Sequence, residues 1–180
     1  MKSRSIQYST APNVRDTAAT RYTKPVVEFL ALFLKTHGTE KDGLALCATH
    51  FTGDVRAAEN AETFDSIALD IDGHAGTVED LREIFKGYAH ALYTTFSYGV
   101  KPGLSSRVIL PFTRSVSKEE FDLVWIAVAR WMESFGIELD AATKNPDRLI
   151  FAPREQNPES DLVPVRYVAE GALFDVDALQ

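Results

Sequence analysis

Apolar positions recur at helical spacing after Pro25, where Val26, Phe29, Leu30, Phe33 and Leu34 share one face, and the pattern predicts a helix ending near His37-Gly38. Leu44 to Phe51 reads as a strand, and Phe64 to Ile71 as a second, more buried one. Thr77-Val-Glu-Asp80 has the form of a capped helix start, the helix running to about Gly87. His90 to Ser97 and Arg107 to Phe112 read as two further strands, and the two glycines and the proline of Tyr98-Gly-Val-Lys-Pro-Gly-Leu104 make a loop between them. Ser117 and Glu120 form a capping box ahead of the apolar stripe Phe121, Val124, Val128, Trp131, Met132 and Phe135, which stops at Gly136. Leu149 to Ala152, bounded by Pro153, is a short strand, and Leu162 to Val168 adds another. Met1 to Thr20 is polar and aperiodic, the pattern of an extended or mobile arm.

From Phe64 onward the order is strand, helix, strand, strand, helix, strand. This is the split β-α-β pattern, an antiparallel sheet with its helices on one face and its other face open for a site. The expected fold class is α+β: a flexible arm over residues 1–20, then one domain over 21–180. Within that domain 21–63 form a small N-terminal α/β subdomain and 64–180 the core. Many functions use this architecture, so individual residues have to carry the functional argument.

Composition narrows the setting. The 180 residues are 45% hydrophobic and 25% charged, enough to bury a sizeable core. Cys47 is the single cysteine, which excludes a disulfide framework within the chain, and His37, His50, His74 and His90 have no zinc-like spacing with it. The longest apolar run, Val26 to Leu34, is interrupted by Glu28 and far short of a membrane span, and the N-terminus lacks a signal-peptide pattern. A soluble, cytoplasmic protein without a membrane partner is expected. The net charge of −7 argues mildly against a broad surface that wraps nucleic acid, although a local basic groove is compatible with it.

The candidate chemistry begins at Asp70 and Asp72, where an apolar strand ends in two carboxylates one residue apart. Side chains alternate across a strand, so both aspartates point to one face while Ile71 points into the core. Two such carboxylates suit a hard cation, Mg²⁺ or Mn²⁺, and a pair of ions about 4 Å apart is a usual apparatus for displacement at phosphorus. The bland alternative is that D-x-D-G at a strand end is turn chemistry alone.

Several segments together resemble the primase-polymerase domains of phage and plasmid replication proteins, a branch of the archaeo-eukaryotic primase superfamily. They are Arg21-Tyr-Thr-Lys-Pro25, Lys41-Asp-Gly43, the Arg56 to Asn60 stretch, Leu69-Asp-Ile-Asp-Gly73, Tyr93-Thr-Thr-Phe-Ser97, Arg107-Val-Ile-Leu-Pro111 and Asp140-Ala-Ala-Thr-Lys-Asn-Pro-Asp-Arg-Leu149. The resemblance implies a catalytic core with an RRM-like sheet that carries out template-directed nucleotidyl transfer, as a DNA primase or DNA polymerase, with Mg²⁺ or Mn²⁺. It implies Asp70, Asp72 and Asp140 as catalytic metal ligands, with Asp147 as the alternative third carboxylate. Arg107, Ser105, Ser97, Thr95, Lys101 and Arg148 are then the nucleotide-binding candidates, and Arg56, Asn60 and Tyr98 the template contacts. The implied partners are a single-stranded DNA template, an NTP or dNTP and a helicase domain or protein, in a bacterial or phage-infected cytosol.

The chain departs from the family where a histidine is common: Phe96 stands in Thr95-Phe-Ser97, and the superfamily's Ser-x-His appears only as Ser105-Ser-Arg107. Arginine binds a triphosphate but does not transfer a proton near neutral pH. That departure keeps open a degenerate module that binds single-stranded or origin DNA without catalysis. A further alternative is a haloacid-dehalogenase-like phosphatase, with Asp70 as nucleophile and Asp72 as general acid.

Overall fold

In a computed structural model, which describes residues 4–179, nine strands make two antiparallel sheets. The first sheet contains β1 (Ser5–Ala11), β2 (Thr20–Pro25), β3 (Ala45–Cys47) and β8 (Ile150–Phe151), in the order β2-β1-β3-β8. The second contains β4 (Thr49–Phe51), β5 (Ala61–His74), β6 (His90–Thr94), β7 (Leu104–Ser117) and β9 (Arg166–Ala169), in the order β4-β5-β7-β6-β9. Three α-helices accompany them: α1 (Val26–Ala31), α2 (Val78–Ile84) and α3 (Lys118–Glu133). The fold is α+β, as expected.

The central trio β5-β7-β6 is built by alternation. Ile67, Leu69 and Ile71 of β5 join Leu92 of β6 and Val108 and Leu110 of β7 on one face, where α2 and α3 cover them with Leu81, Val124, Val128 and Met132. Both helices start with a full capping box, Thr77 with Asp80 and Ser117 with Glu120. Each satisfies backbone donors that a helix start would otherwise leave unpaired, an effect on the order of 1 kcal/mol. In α3 the expected stripe is buried at Phe121, Val124, Val128 and Met132, while Trp131 lies at its margin, edge-on to Phe85, and Phe135 falls beyond the last turn.

The opposite face is not fully open. Ala68, Ala91, Tyr93 and Ile109 make a second core with Ile6, Tyr8, Phe29 and Phe33, so β1 and α1 roof one end of this face. Phe33 stacks on Tyr93 with ring centroids 5.6 Å apart. The uncovered end carries Asp70, Asp72 and Arg107.

Several elements differ from the sequence pattern. Ser5–Ala11, expected in a mobile arm, is β1: Ile6 and Tyr8 are buried, Arg4 pairs with Asp65 at 2.8 Å and the Gln7 N–H donates to Asp65 at 2.7 Å. Its ordering comes from partners far along the chain, to which local periodicity is blind. The first helix stops at Ala31 and continues as a 3₁₀ turn over Leu32–Leu34. Leu44 to Phe51 is two strands that part at Ala48 and enter different sheets, carrying the chain from one layer to the other. The strand after α3, β8, does not join the central sheet but pairs with β3, and the edge beside β6 is taken by β9. β7 also outruns its apolar core of Arg107 to Phe112, because its pairing passes Pro111 through an irregularity, from Ser66↔Pro111 to Phe64↔Val116.

Candidate functional site

The central sheet places the two carboxylates. On β5, Asp70 and Asp72 flank the fully buried Ile71 and so share the face opposite it. Antiparallel pairing sets Asp70 opposite Arg107 and Asp72 opposite Ser105 on β7. Residues opposed in this way lie within side-chain reach. Arg107 uses it: Nε donates to Asp70 Oδ1 at 3.1 Å and Nη2 to Oδ2 at 3.0 Å, a two-pronged pair whose side chains are 13% and 10% exposed. Arg107 Nη1 reaches the Phe151 carbonyl at 3.3 Å, which also accepts from the Tyr93 hydroxyl at 2.7 Å. Burial opposes the charge on Arg107, but the Asp70 carboxylate beside it outweighs burial and raises its pKa, so it stays protonated. Burial likewise raises the Tyr93 pKa and keeps that hydroxyl neutral.

Asp72 lies nearer solvent and meets Lys101 Nζ at 3.5 Å. Lys101 belongs to the connection between β6 and β7, whose end is pressed against the end of β5 at paired glycines. A Cβ on Gly103 would lie 2.6 Å from the Gly73 carbonyl carbon, and the two glycines have φ of +79° and +75°.

Asp140 arrives from α3 through the buried Ile137 and Leu139. Its N–H donates to the Asp70 carbonyl at 3.2 Å, which ties this segment to β5. Asp140 Oδ1 caps the 3₁₀ turn Ala141–Lys144 by accepting from the Ala142 N–H at 2.9 Å, and Oδ2 accepts from Arg148 Nη2 at 3.2 Å. The turn is fastened to α3, since Trp125 Nε1 donates to Thr143 Oγ1 at 3.0 Å.

These groups line one cleft of about 260 Å³. It brings together Asp70, Asp72, Asp140, Arg107, Lys101 and Arg148, with Thr95 and Ser97 at its rim and Phe96 as a half-buried wall. Other candidates lie elsewhere. Ser105 is fully buried and its hydroxyl has no hydrogen-bond partner among the described residues. Asp147 lines a neighbouring hollow with Arg56. The Arg56 guanidinium is occupied by the carbonyls of Asp147, Val14 and Asp16 at 2.9, 3.3 and 3.0 Å, and Asn60 Nδ2 donates to the Val55 carbonyl at 3.2 Å. Tyr98 packs on the main core, and Tyr93 is buried beneath the cleft. Sequence reasoning assigned no role to Lys41, Arg154 or the Phe151 carbonyl, all part of the cleft wall. Arg154 follows a proline in an aperiodic stretch, where a sequence gives no orientation.

The donor set has the right chemistry for a hard cation, since its three carboxylates are oxygen donors lining one cleft. Each is held by a basic side chain here, and among the described residues no three acidic, histidine or cysteine side chains converge on one point. Loading an ion would require these pairs to exchange partners.

In fold, the two antiparallel sheets and their cleft are similar to a phage primase-polymerase domain. The structure matches the archaeo-eukaryotic primase domain of the cyanophage S-2L primase-polymerase with a TM-score of 0.52 and 14% identity, over 98% of this chain and 87% of that one. The model of the VapE N-terminal domain family matches residues 2–179, and the chain belongs to that family. No curated protein matches it. No helix among the described residues is long and apolar enough to cross a membrane.

Proposed function

We propose that this domain carries out template-directed nucleotidyl transfer in phage or plasmid replication, using a nucleoside triphosphate and a single-stranded DNA template. The observation that carries the reading is that Asp70, Asp72 and Asp140 line one cleft with Lys101, Arg107 and Arg148, in a fold similar to that of a primase-polymerase domain. Asp70, Asp72 and Asp140 would hold Mg²⁺ or Mn²⁺, which when bound supplies charge neutralisation at the triphosphate and activation of the attacking hydroxyl. Lys101, Arg107 and Arg148 meet the phosphates, taking them in place of the carboxylates they pair with now. No histidine lines the cleft, so its own side chains offer positioning and charge for the triphosphate, with no imidazole proton carrier.

The test is incorporation of nucleotides on single-stranded DNA, with and without primer, in Mg²⁺ or Mn²⁺. Asp72→Ala is the informative variant, because its ion pair is half exposed and the fold does not depend on it. Metal-dependent products from the wild type and none from folded Asp72→Ala are expected. Absence of products from the wild type, with DNA binding that survives Asp72→Ala, refutes it in favour of a degenerate DNA-binding module. The closed Asp70–Arg107 pair is the observation on that side. It also disfavours the phosphatase alternative: Asp70 lies four residues before the end of β5 with both oxygens engaged, not free to attack.

A further inference from the structure

The loop 35–44 reaches the wall of the cleft through Lys41. It leaves the 3₁₀ turn after α1, enters β3, and is closed at its neck by the segment that follows β8. The His37 N–H donates to the Pro153 carbonyl at 2.8 Å, the Glu155 N–H to Gly38 at 2.9 Å and the Ala152 N–H to Leu44 at 3.3 Å. Arg154 fills the loop from within, Nη1 donating to the His37 carbonyl at 2.6 Å and Nη2 to the Leu44 carbonyl at 2.7 Å. Its guanidinium presses on Gly38 and Gly43, where a Cβ would come within 3.1 and 3.4 Å of its nitrogens. The side chain is 4% exposed, forms no ion pair among the described residues and leaves Nε without a partner. Around the buried guanidinium stand those two carbonyls, the Phe151 ring with its centroid 5.6 Å from Cζ, and the charge of Asp42 on the same loop, which offsets part of the cost of burial.

Lys41 stands exposed on this loop, lines the cleft, and likewise has no carboxylate partner among the described residues. The cleft thus holds five basic side chains, Lys41, Lys101, Arg107, Arg148 and Arg154, against the three carboxylates Asp70, Asp72 and Asp140. Asp42 beside Arg154 lowers this local surplus from two positive charges to one, which still runs against the −7 of the whole chain. The surplus sits on the wall away from the three ion pairs. Such a concave, positively charged wall selects an anion with several charges close together.

We propose that the 35–44 loop is the polyphosphate-binding wall of the cleft. Lys41 contacts the phosphate tail of a nucleoside triphosphate, and Arg154 is a positioning residue that holds the loop in register. The proposal deepens the nucleotidyl-transfer reading and rests on it for the nucleoside, but not for the phosphate chemistry. Phosphate is also present in the backbone of DNA, so the probes must separate the two sources.

Binding is measured calorimetrically with inorganic tripolyphosphate, with dATP plus Mn²⁺, and with a single-stranded oligothymidylate, on wild type, Lys41→Ala, Lys41→Arg and Arg154→Lys. Tripolyphosphate and dATP are expected to weaken about tenfold in Lys41→Ala, the size of one charge-assisted hydrogen bond, and to recover in Lys41→Arg while the oligonucleotide is unaffected. Arg154→Lys cannot span two carbonyls with a fork, so it should weaken the same two ligands and speed amide hydrogen exchange over residues 38–43, which Lys41→Ala leaves unchanged. Lys41 is exposed, so its variants remain informative if Arg154→Lys fails to fold. The proposal is overturned if wild type does not bind tripolyphosphate, if Lys41→Ala binds it normally, or if only the oligonucleotide weakens. Lys41-dependent tripolyphosphate binding without any nucleotide incorporation refutes the polymerase reading and leaves the anion site standing.

Discussion

Replacing Asp70 by alanine leaves the Arg107 guanidinium with one protein acceptor, the Phe151 carbonyl at 3.3 Å, in place of three hydrogen bonds. The pair's side chains are only 13% and 10% exposed, so water cannot fully solvate the stranded charge. Removing one partner of such a pair costs about 3–5 kcal/mol. For a domain of this size each kcal/mol lowers Tm by roughly 2–4 °C, which gives a fall on the order of 10 °C. The measurement is urea unfolding of wild type, Asp70→Ala, Arg107→Met and the double variant. The double variant should be more stable than the sum of the single losses predicts, by about 1–3 kcal/mol, because it removes both charges together. A single-variant loss below about 1 kcal/mol, or strict additivity, refutes the claim that this pair is a buried, coupled unit. The consequence reaches the functional assay: lost activity in Asp70→Ala mixes a missing metal ligand with a weakened fold, a confusion that Asp72→Ala avoids.

Gly103→Ala should destabilise by about 1–3 kcal/mol in chemical denaturation, because φ of +79° and the Gly73 backbone 2.6 Å from the new Cβ both oppose it. It should also weaken nucleotide binding by displacing Lys101; an unchanged unfolding midpoint would show that the glycine contact is not tight. His90 is buried against Phe85 with Nε2 unpartnered among the described residues, and burial lowers its pKa below 6.5. Below pH 6.5 the unfolded chain takes up a proton that the folded one refuses, so stability falls as pH falls from 6.5 toward the lower folded value. In His90→Phe that part of the slope between pH 7 and 5 should vanish, and an undiminished slope would assign the dependence elsewhere. Ser117→Ala removes the cap of α3 and should cost about 1 kcal/mol in urea unfolding, with a neutral result refuting the cap's contribution.

The sequence by itself determined the elements whose signals are local. Alternation placed Asp70 and Asp72 on one face of a buried strand, capping boxes marked the starts of α2 and α3, and glycines marked the connection that carries Lys101. The motif resemblance reached the fold, and of its two candidates for a third carboxylate Asp140 lines the cleft and Asp147 does not. Only the tertiary structure decided what depends on chain segments far apart. The polar Ser5–Ala11 became a strand because β2, β3 and Asp65 pair with it, and the strand after α3 went to β3 because the central sheet's edges were already taken by β4 and β9. The ion pairs that close over Asp70 and Asp72 join residues far apart in the chain, and so does the Arg154 staple through the 35–44 loop. Periodicity reports which face of its own element a residue occupies, while partnership across 37 residues of chain, as between Asp70 and Arg107, is set by strand register, which only the assembled sheet fixes.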